Sequence, residues 1–250
     1  MKKLIAYTLI IFFFSQCSKM NENYTKINRL EYLNKLEGFW LGQCIANWTG
    51  LITEMDKIGI PIDGKGGGFY TREDWGKSDQ PNLWGSNELS NTINYIYAEK
   101  DSIWGADDDT DIEYIYQELL LNSPSLDLTG EQIRNAWINH IHLDEENFLW
   151  VSNQKAFDLM NNGVIPPETS NPDLNPHYEM IDAQLTTEIF GFFAPTKPEI
   201  AMALGYLPVR TTARDNAAWI SEFNIIMYSL ASIKTEHKTR KEKVIWMAKQ

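Results

Sequence analysis

Residues 104–121 have the sequence WGADDDTDIEYIYQELLL, in which an acidic cluster directly precedes an apolar helical pattern. Four carboxylates and one hydroxyl occupy the five positions 107–111. From Ile112 onward, apolar residues recur at intervals of three and four, which is typical of a helix with one buried face. The stretch therefore predicts a helix at about 110–121 whose first turn is strongly acidic.

Two explanations of this acidic turn are open. Asp and Thr are favoured N-cap residues, and acidic side chains suit the positive end of the helix dipole. One Asp and one Thr would satisfy that need, so three consecutive aspartates exceed it. A hard divalent cation such as Mg²⁺ or Ca²⁺ takes oxygen ligands and would offset the repulsion, with Asp107, Asp108 and Asp109 as candidate ligands. An EF-hand is excluded because Ile112 stands where its loop needs glycine.

Helical periodicity continues on both sides of this stretch. The predicted helices lie at about 28–55, 88–99, 110–121, 129–142, 148–161, 173–190, 198–206 and 213–233. Gly38, Gly42 and Ala46 form a small-residue stripe spaced by four, which predicts the close approach of another element. Alternation with hairpin turns, the signature of β-strands, is absent from the sequence. The chain is therefore predicted to be all-α, with one helical domain over residues 28–250.

The first residues have the pattern of a targeting segment. Lys2 and Lys3 precede an apolar run from Leu4 to Phe14, which is too short to span a bilayer comfortably, and Cys17 follows. This resembles a bacterial lipoprotein signal, so we expect a signal peptide at 1–16, lipidation of Cys17, a flexible tether at 17–27 and a lipid anchor on the bacterial cell envelope. Because Gln16 replaces the expected small residue, an ordinary secretory signal with a secreted or periplasmic product is the alternative.

The charge of the chain limits the classes of partner. The formal net charge is −12, which argues against nucleic acid or anionic lipid as a general partner. A small phosphorylated ligand held through a metal ion remains compatible with it. With 250 residues, 43% of them hydrophobic, the chain is long enough to bury a full core.

Three segments together resemble the ADP-ribosylglycohydrolase family. Residues 42–54, GQCIANWTGLITE, keep the spacing of that family's first helix, from a Gly to a Glu twelve positions later. Ala46 stands where the family has Gly, and Asn47 where it has Asp. The acidic stretch resembles the family's Thr (or Ser)-Asp-Asp-Thr motif, with Asp107 in place of the hydroxyl ligand.

The third segment runs from Asp182 to Ala217 and resembles the family's Gly-x-x-x-Pro-x-x-Pro-x-x-Ala helix and the small-residue helix after it. The resemblance spans roughly residues 30–232. It implies an all-α domain with a two-Mg²⁺ centre that binds ADP-ribose and hydrolyses its N- or O-glycosidic bond. On this basis Asp107, Asp108 and Asp109 are metal ligands, Glu54 is the catalytic residue, and Asn47 and Thr110 bind substrate.

One part of the family's pattern is missing. The family completes its metal centre with a second Asp-x-Asp-Thr motif near the C-terminus, whereas Asp215 is the last aspartate here. We therefore expect either the front portion of a longer protein or a chain with at most a partial Mg²⁺ site and little or no hydrolase activity. The alternative function is a non-catalytic envelope lipoprotein that binds glycans, with nine tryptophans available for stacking on sugars.

Overall fold

The computed structural model describes residues 26–53, 76–77, 107–142, 149–235 and 238–250, with only the backbone of residues 48–53. All regular secondary structure in these residues is helical, which confirms the predicted all-α fold. The helices are α1 (Arg29–Thr53), α2 (Asp108–Asn122), α3 (Gly130–His140), α4 (Val151–Asn161), α5 (Asp182–Thr186), α6 (Ile189–Phe193), α7 (Pro198–Val209), α8 (Asp215–Ala231) and α9 (Arg240–Met247), with a 3-10 turn at Glu168–Ser170. None of the helices in the described ranges has both the length and the apolar character needed to cross a membrane.

Six of the predicted helices are present, with boundaries within a few residues, and the one at 88–99 lies outside the described residues. The helix predicted at 173–190 is wrong. Residues 172–181 form turns, and helix begins only at Asp182, because Pro172 and Pro176 lack a backbone N–H and disfavour helical geometry in the residue before them. The fully buried Asn175 holds this turn segment in place, since its amide donates to the carbonyls of Ser152 (3.3 Å) and Thr169 (3.1 Å).

Helix α8 lies at the centre of the packing and contacts α5, α6, α7 and α9. Helix α2 packs against α3 and α5, and α4 packs against α3 and α5 as well. The largest side chains with almost no solvent exposure are Trp137, Tyr116, Phe157, Phe190, Ile112 and Ile133. Burial of such side chains contributes about 1.5–3 kcal/mol each relative to exposure, so this core fixes α2, α3, α4 and α6 relative to one another.

No described element makes the close approach predicted at the small-residue stripe of α1. Within the described ranges Gly38 and Gly42 are exposed, and a Cβ atom built on either would meet no heavy atom within 4 Å. The close approach occurs at Gly191 in α6, where a Cβ atom would lie 2.4 Å from the Ile225 carbonyl oxygen and 2.6 Å from Tyr228 Cβ. The backbones of α6 and α8 are therefore in direct contact.

Helix α1 joins the domain through aromatic contacts near its middle. The ring of Phe39 lies with its centroid 4.5 Å from that of Phe192 and 5.6 Å from that of Tyr228. The Tyr32 hydroxyl donates a hydrogen bond to the Phe192 carbonyl. These contacts bring the second half of α1, which contains Gln43 and Asn47, toward the start of α2.

Candidate metal centre

The predicted ligands lie at the start of α2. Asp107 precedes the helix as its N-cap residue, and Asp108 and Asp109 form part of its first turn. One carboxylate oxygen from each of the three lies within 4.8 Å of the other two, and Asp108 is only 7% exposed. The Asp107 side chain makes no capping hydrogen bond. The backbone N–H groups of Asp109 and Thr110 are nevertheless close enough to lower the pKa of the Asp107 carboxyl, against the larger effect of burial.

The N-terminus of α4 fixes the orientation of Asp108. Asp108 Oδ2 accepts hydrogen bonds from the Trp150 backbone N–H (2.6 Å) and from the Asn153 side-chain amide (2.7 Å). Both donors reach the same oxygen. The carboxylate is thus held in one orientation, while Oδ1 takes part in neither of these bonds.

A second carboxylate, Asp182, binds to the same helix end. Asp182 Oδ1 accepts hydrogen bonds from the backbone N–H groups of Ser152 (3.0 Å) and Asn153 (2.9 Å). The first N–H groups of a helix have no partner within the helix, and they carry its positive dipole, so they favour carboxylates. Asp182 was not predicted as a site residue. The available signal was an acid within the otherwise apolar start of the segment IDAQL.

Two glutamates lie near these aspartates, on the sides that face α1 and α6. The acidic centre consists of these six residues, Asp107, Asp108, Asp109, Asp182, Glu113 and Glu188. Glu113 is fully buried, and it accepts hydrogen bonds from the Ile189 backbone N–H (2.9 Å) and the Gln43 side-chain amide. Burial, and then the charge of the neighbouring Glu188, raise the pKa of Glu113 well above its ordinary value. Burial raises the pKa of Glu188 to about 7. Neither glutamate was predicted. Glu113 lies four positions after Asp109 on the same helix, a spacing that the sequence already shows, whereas Glu188 becomes a neighbour of the aspartates only through helix packing.

The raised pKa values of the aspartates reflect their burial and their closeness to one another. Burial, followed by the negative charges of Asp107, Asp108, Glu188 and Asp182, raises the pKa of Asp109 to about 9. Burial also raises the pKa of Asp108 to about 6, against the hydrogen bonds from Trp150 and Asn153. The ion pairs within the described ranges join Lys35 and Lys234 to Glu31 and Arg210 to Glu222, away from the acidic centre. Buried carboxylates without a cationic partner require a proton or a bound cation.

Several oxygens around this centre are buried without a hydrogen-bond partner. They are Asp107 Oδ1, Asp182 Oδ2, Glu188 Oε2, Asn47 Oδ1 and Asn153 Oδ1. Most buried polar groups in folded proteins do have a partner. Carboxylate and amide oxygens are the ligands of hard divalent cations, and Mg²⁺ keeps several waters that bond to further oxygens. The residues present therefore fit a hard divalent cation.

The other predicted residues are only partly covered by the described ranges. The Asn47 amide lies close enough to Asp107 to lower the pKa of its carboxyl, against the larger effect of burial. Thr110 is half-buried in the first turn of α2. Glu54, Cys17 and the signal peptide lie outside the described residues, as does the tether up to residue 25. The tryptophans of the glycan-binding alternative at positions 75 and 84 also lie outside them.

Comparison of the chain with protein-family models, with curated proteins and with solved structures gives no match. The resemblance to the ADP-ribosylglycohydrolase family therefore rests on the sequence motifs of the chain.

Proposed function

We propose that this protein binds a hard divalent cation, Mg²⁺ in the first instance, at Asp107, Asp108 and Asp109, and that it hydrolyses an N- or O-glycosidic bond to ADP-ribose or a related riboside. The observation that carries the proposal is the convergence of these three carboxylates, with no lysine or arginine paired to them among the described residues. The family-like motifs supply the substrate class. A Cys17 lipid anchor would place the site at the cell envelope, where a secreted or scavenged riboside is the expected substrate.

The cation, when bound, supplies positive charge that orients ribose hydroxyls and stabilises oxygens whose negative charge grows during bond cleavage. The protein's own residues would orient the cation's ligands and the substrate. Trp150 and Asn153 fix Asp108 so that its carboxylate is already oriented before the ligand arrives. Asn47 lies beside Asp107, and its Oδ1 is buried without a partner among the described residues, which supports its proposed role as an acceptor for a ribose hydroxyl. Glu54 follows α1 directly and is the proposed catalytic residue that aligns the ribose or the attacking water.

The level of activity is a separate part of the proposal. Residues 216–250 supply no aspartate, so the family's second Asp-x-Asp-Thr motif has no counterpart there. We therefore expect cation-dependent binding of ADP-ribose with slow or undetectable turnover from these 250 residues.

Titration calorimetry with ADP-ribose, in Mg²⁺ and in EDTA, tests the proposal. We expect binding in Mg²⁺ and none in EDTA. The Asp108→Asn variant keeps an acceptor for Trp150 and Asn153 but loses a charge, so it should lose most of the Mg²⁺-dependent binding. Asp173→Asn, which neutralises an exposed acid, is the matched control and should bind as the wild type does.

Two results would contradict the proposal. One is ADP-ribose binding of equal affinity in EDTA and in Mg²⁺, and the other is no heat of binding under either condition. Binding of glycans without a cation requirement, unchanged by Asp108→Asn, would instead support the non-catalytic lipoprotein.

A further inference from the structure

Asp182 is a buried carboxylate beside the aspartate triplet, and the N-terminus of α4 holds one of its two oxygens. Asp182 is only 2% exposed to solvent, and its Oδ1 accepts two backbone hydrogen bonds from the N-terminal turn of α4. Asn153 provides one of these bonds from its backbone, and its side chain binds Asp108 at 2.7 Å. One residue thus ties together two carboxylates that are 74 positions apart in the sequence.

The second oxygen of Asp182 has a different environment. Oδ2 is buried and makes no hydrogen bond of normal geometry, while the nearby Ser152 hydroxyl lowers the pKa of the carboxyl against the larger effect of burial. A carboxylate that served only to cap α4 would be complete with Oδ1, and leaving its other oxygen buried without a full partner is unfavourable. The negative charge of Asp182 acts on both Asp108 and Asp109, so Oδ2 belongs to the same electrostatic region as the three predicted ligands.

We infer that Asp182 is a fourth carboxylate of the cation site, held by the N-terminus of α4 so that its Oδ2 binds a water ligand of the cation at Asp107, Asp108 and Asp109. This inference rests on the proposed cation site. The Asp182 oxygens are not part of the group that approaches within 4.8 Å, which is why the contact is assigned through water. Mg²⁺ sites in proteins retain several waters, and residues that hold such outer contacts typically change metal affinity by about 10–100-fold when they are replaced.

The test uses Mn²⁺ as the probe and the full chain. Titration calorimetry gives the Kd for Mn²⁺, and thermal melting in EDTA gives the stability of the metal-free protein. Asp182→Asn keeps an Oδ1 acceptor for both N–H donors but removes the charge. We expect it to raise the Kd for Mn²⁺ by about 10–100-fold. Its metal-free Tm should equal or exceed that of the wild type, because an uncompensated buried charge has been removed.

Two further variants separate this role from long-range charge and from folding. Asp173→Asn removes the same charge from an exposed position and should leave the Kd within twofold of the wild type. Asp182→Glu keeps the charge but displaces the carboxylate by one methylene, and it should also weaken Mn²⁺ binding severalfold. A purely structural Asp182 would lower the metal-free Tm in Asp182→Asn and leave the Mn²⁺ affinity of the folded protein unchanged.

The outcomes distinguish the two proposals. If the wild type binds no Mn²⁺, the proposed cation site is wrong. If the wild type binds Mn²⁺ and the Asp182→Asn and Asp182→Glu variants bind it with a Kd within twofold of that value, the inference about Asp182 is overturned while the cation site stands.

Discussion

Glu113 has no solvent exposure, and its carboxylate oxygens accept hydrogen bonds from the Ile189 N–H and the Gln43 amide. Burial and the neighbouring Glu188 raise its pKa, so the folded protein keeps this proton at pH values where the unfolded chain has released it. A carboxyl group with a raised pKa contributes stability that is fully present below its unfolded pKa of about 4.3. That stability is lost as the pH rises through the folded pKa.

The first prediction therefore concerns metal-free protein, whose free energy of unfolding should fall as the pH rises above about 4.3. Glu113 contributes to this fall, and so do Asp108, Glu188 and Asp109, whose pKa values are raised to about 6, 7 and 9. For Glu113 alone the slope is at most about 1.4 kcal/mol per pH unit. Glu113→Gln should flatten the profile and exceed the wild-type stability at the alkaline end. The neutral side chain keeps an oxygen for Ile189, and Gln43 can turn its unpartnered Oε1 toward the new amide.

Urea denaturation in EDTA at several pH values measures this profile. Glu37→Gln, at an exposed position of α1, is the control and should follow the wild-type curve. A wild-type stability that rises over this pH range, or a Glu113→Gln protein less stable than wild type at about pH 8, would show that Glu113 is not held protonated in the fold.

At the scale of helices, replacing glycine by alanine should change the free energy of unfolding in opposite directions at Gly191 and at Gly38. Gly191→Ala places a methyl group against the α8 backbone, 2.4 Å from the Ile225 carbonyl oxygen, so α6 and α8 must separate. We expect a loss of about 1–3 kcal/mol or more in the free energy of unfolding. Gly38→Ala in α1 meets no atom within 4 Å and should gain up to about 1 kcal/mol from helix propensity.

Chemical denaturation of both variants, under identical conditions, checks this pair. Equal effects of the same sign at the two positions would contradict the packing at Gly191, because propensity alone acts similarly on both helices. A loss at Gly38 would show that α1 contacts another element at that face, as its small-residue stripe had predicted.

The helices were predictable from sequence wherever a single periodic pattern was uninterrupted, as in α2 and α8. The prediction at 173–190 is wrong because the local backbone restrictions of Pro172 and Pro176 outweigh the apolar spacing of this segment. At the stripe in α1, no described element approaches Gly38 or Gly42. Small residues permit a close approach, but only the tertiary arrangement decides whether one occurs.

Over the whole molecule, the candidate site was predictable only where its residues are contiguous. Asp107, Asp108 and Asp109 stand out as a triplet, and the structure groups their oxygens. Asp182 and Glu188 come from distant parts of the chain, and the packing of α2, α4, α5 and α6 brings them toward the triplet. Glu113 follows Asp109 by four positions in α2, but the sequence does not show that its side chain is buried. The formal net charge of −12 shows that acidic residues outnumber basic ones, but it does not show which carboxylates are buried.

The attachment of α1 gives a prediction for the whole molecule. Between residues 26 and 47, Phe39 is the one buried apolar side chain, whereas α8 buries four, namely Ala217, Ala218, Ile225 and Leu230. Weakly attached elements open with less free energy than the core, so amide hydrogens of α1 should exchange faster than those of α8. Gln43 and Asn47 nevertheless link α1 to the acidic centre, through Glu113 and Asp107.

Because of these links, a cation at the centre should slow exchange in α1 as well as in α2. At a Mn²⁺ concentration of about 100 times Kd, an opening that abolishes binding becomes less favourable by about 2.7 kcal/mol, which corresponds to roughly 100-fold slower exchange. Hydrogen exchange read by mass spectrometry, in Mn²⁺ and in EDTA, measures this effect, and Asp108→Asn should remove it. Protection confined to α2 and α4 would mean that α1 opens independently of the cation, and Asn47 would then lose its proposed place beside the bound ribose.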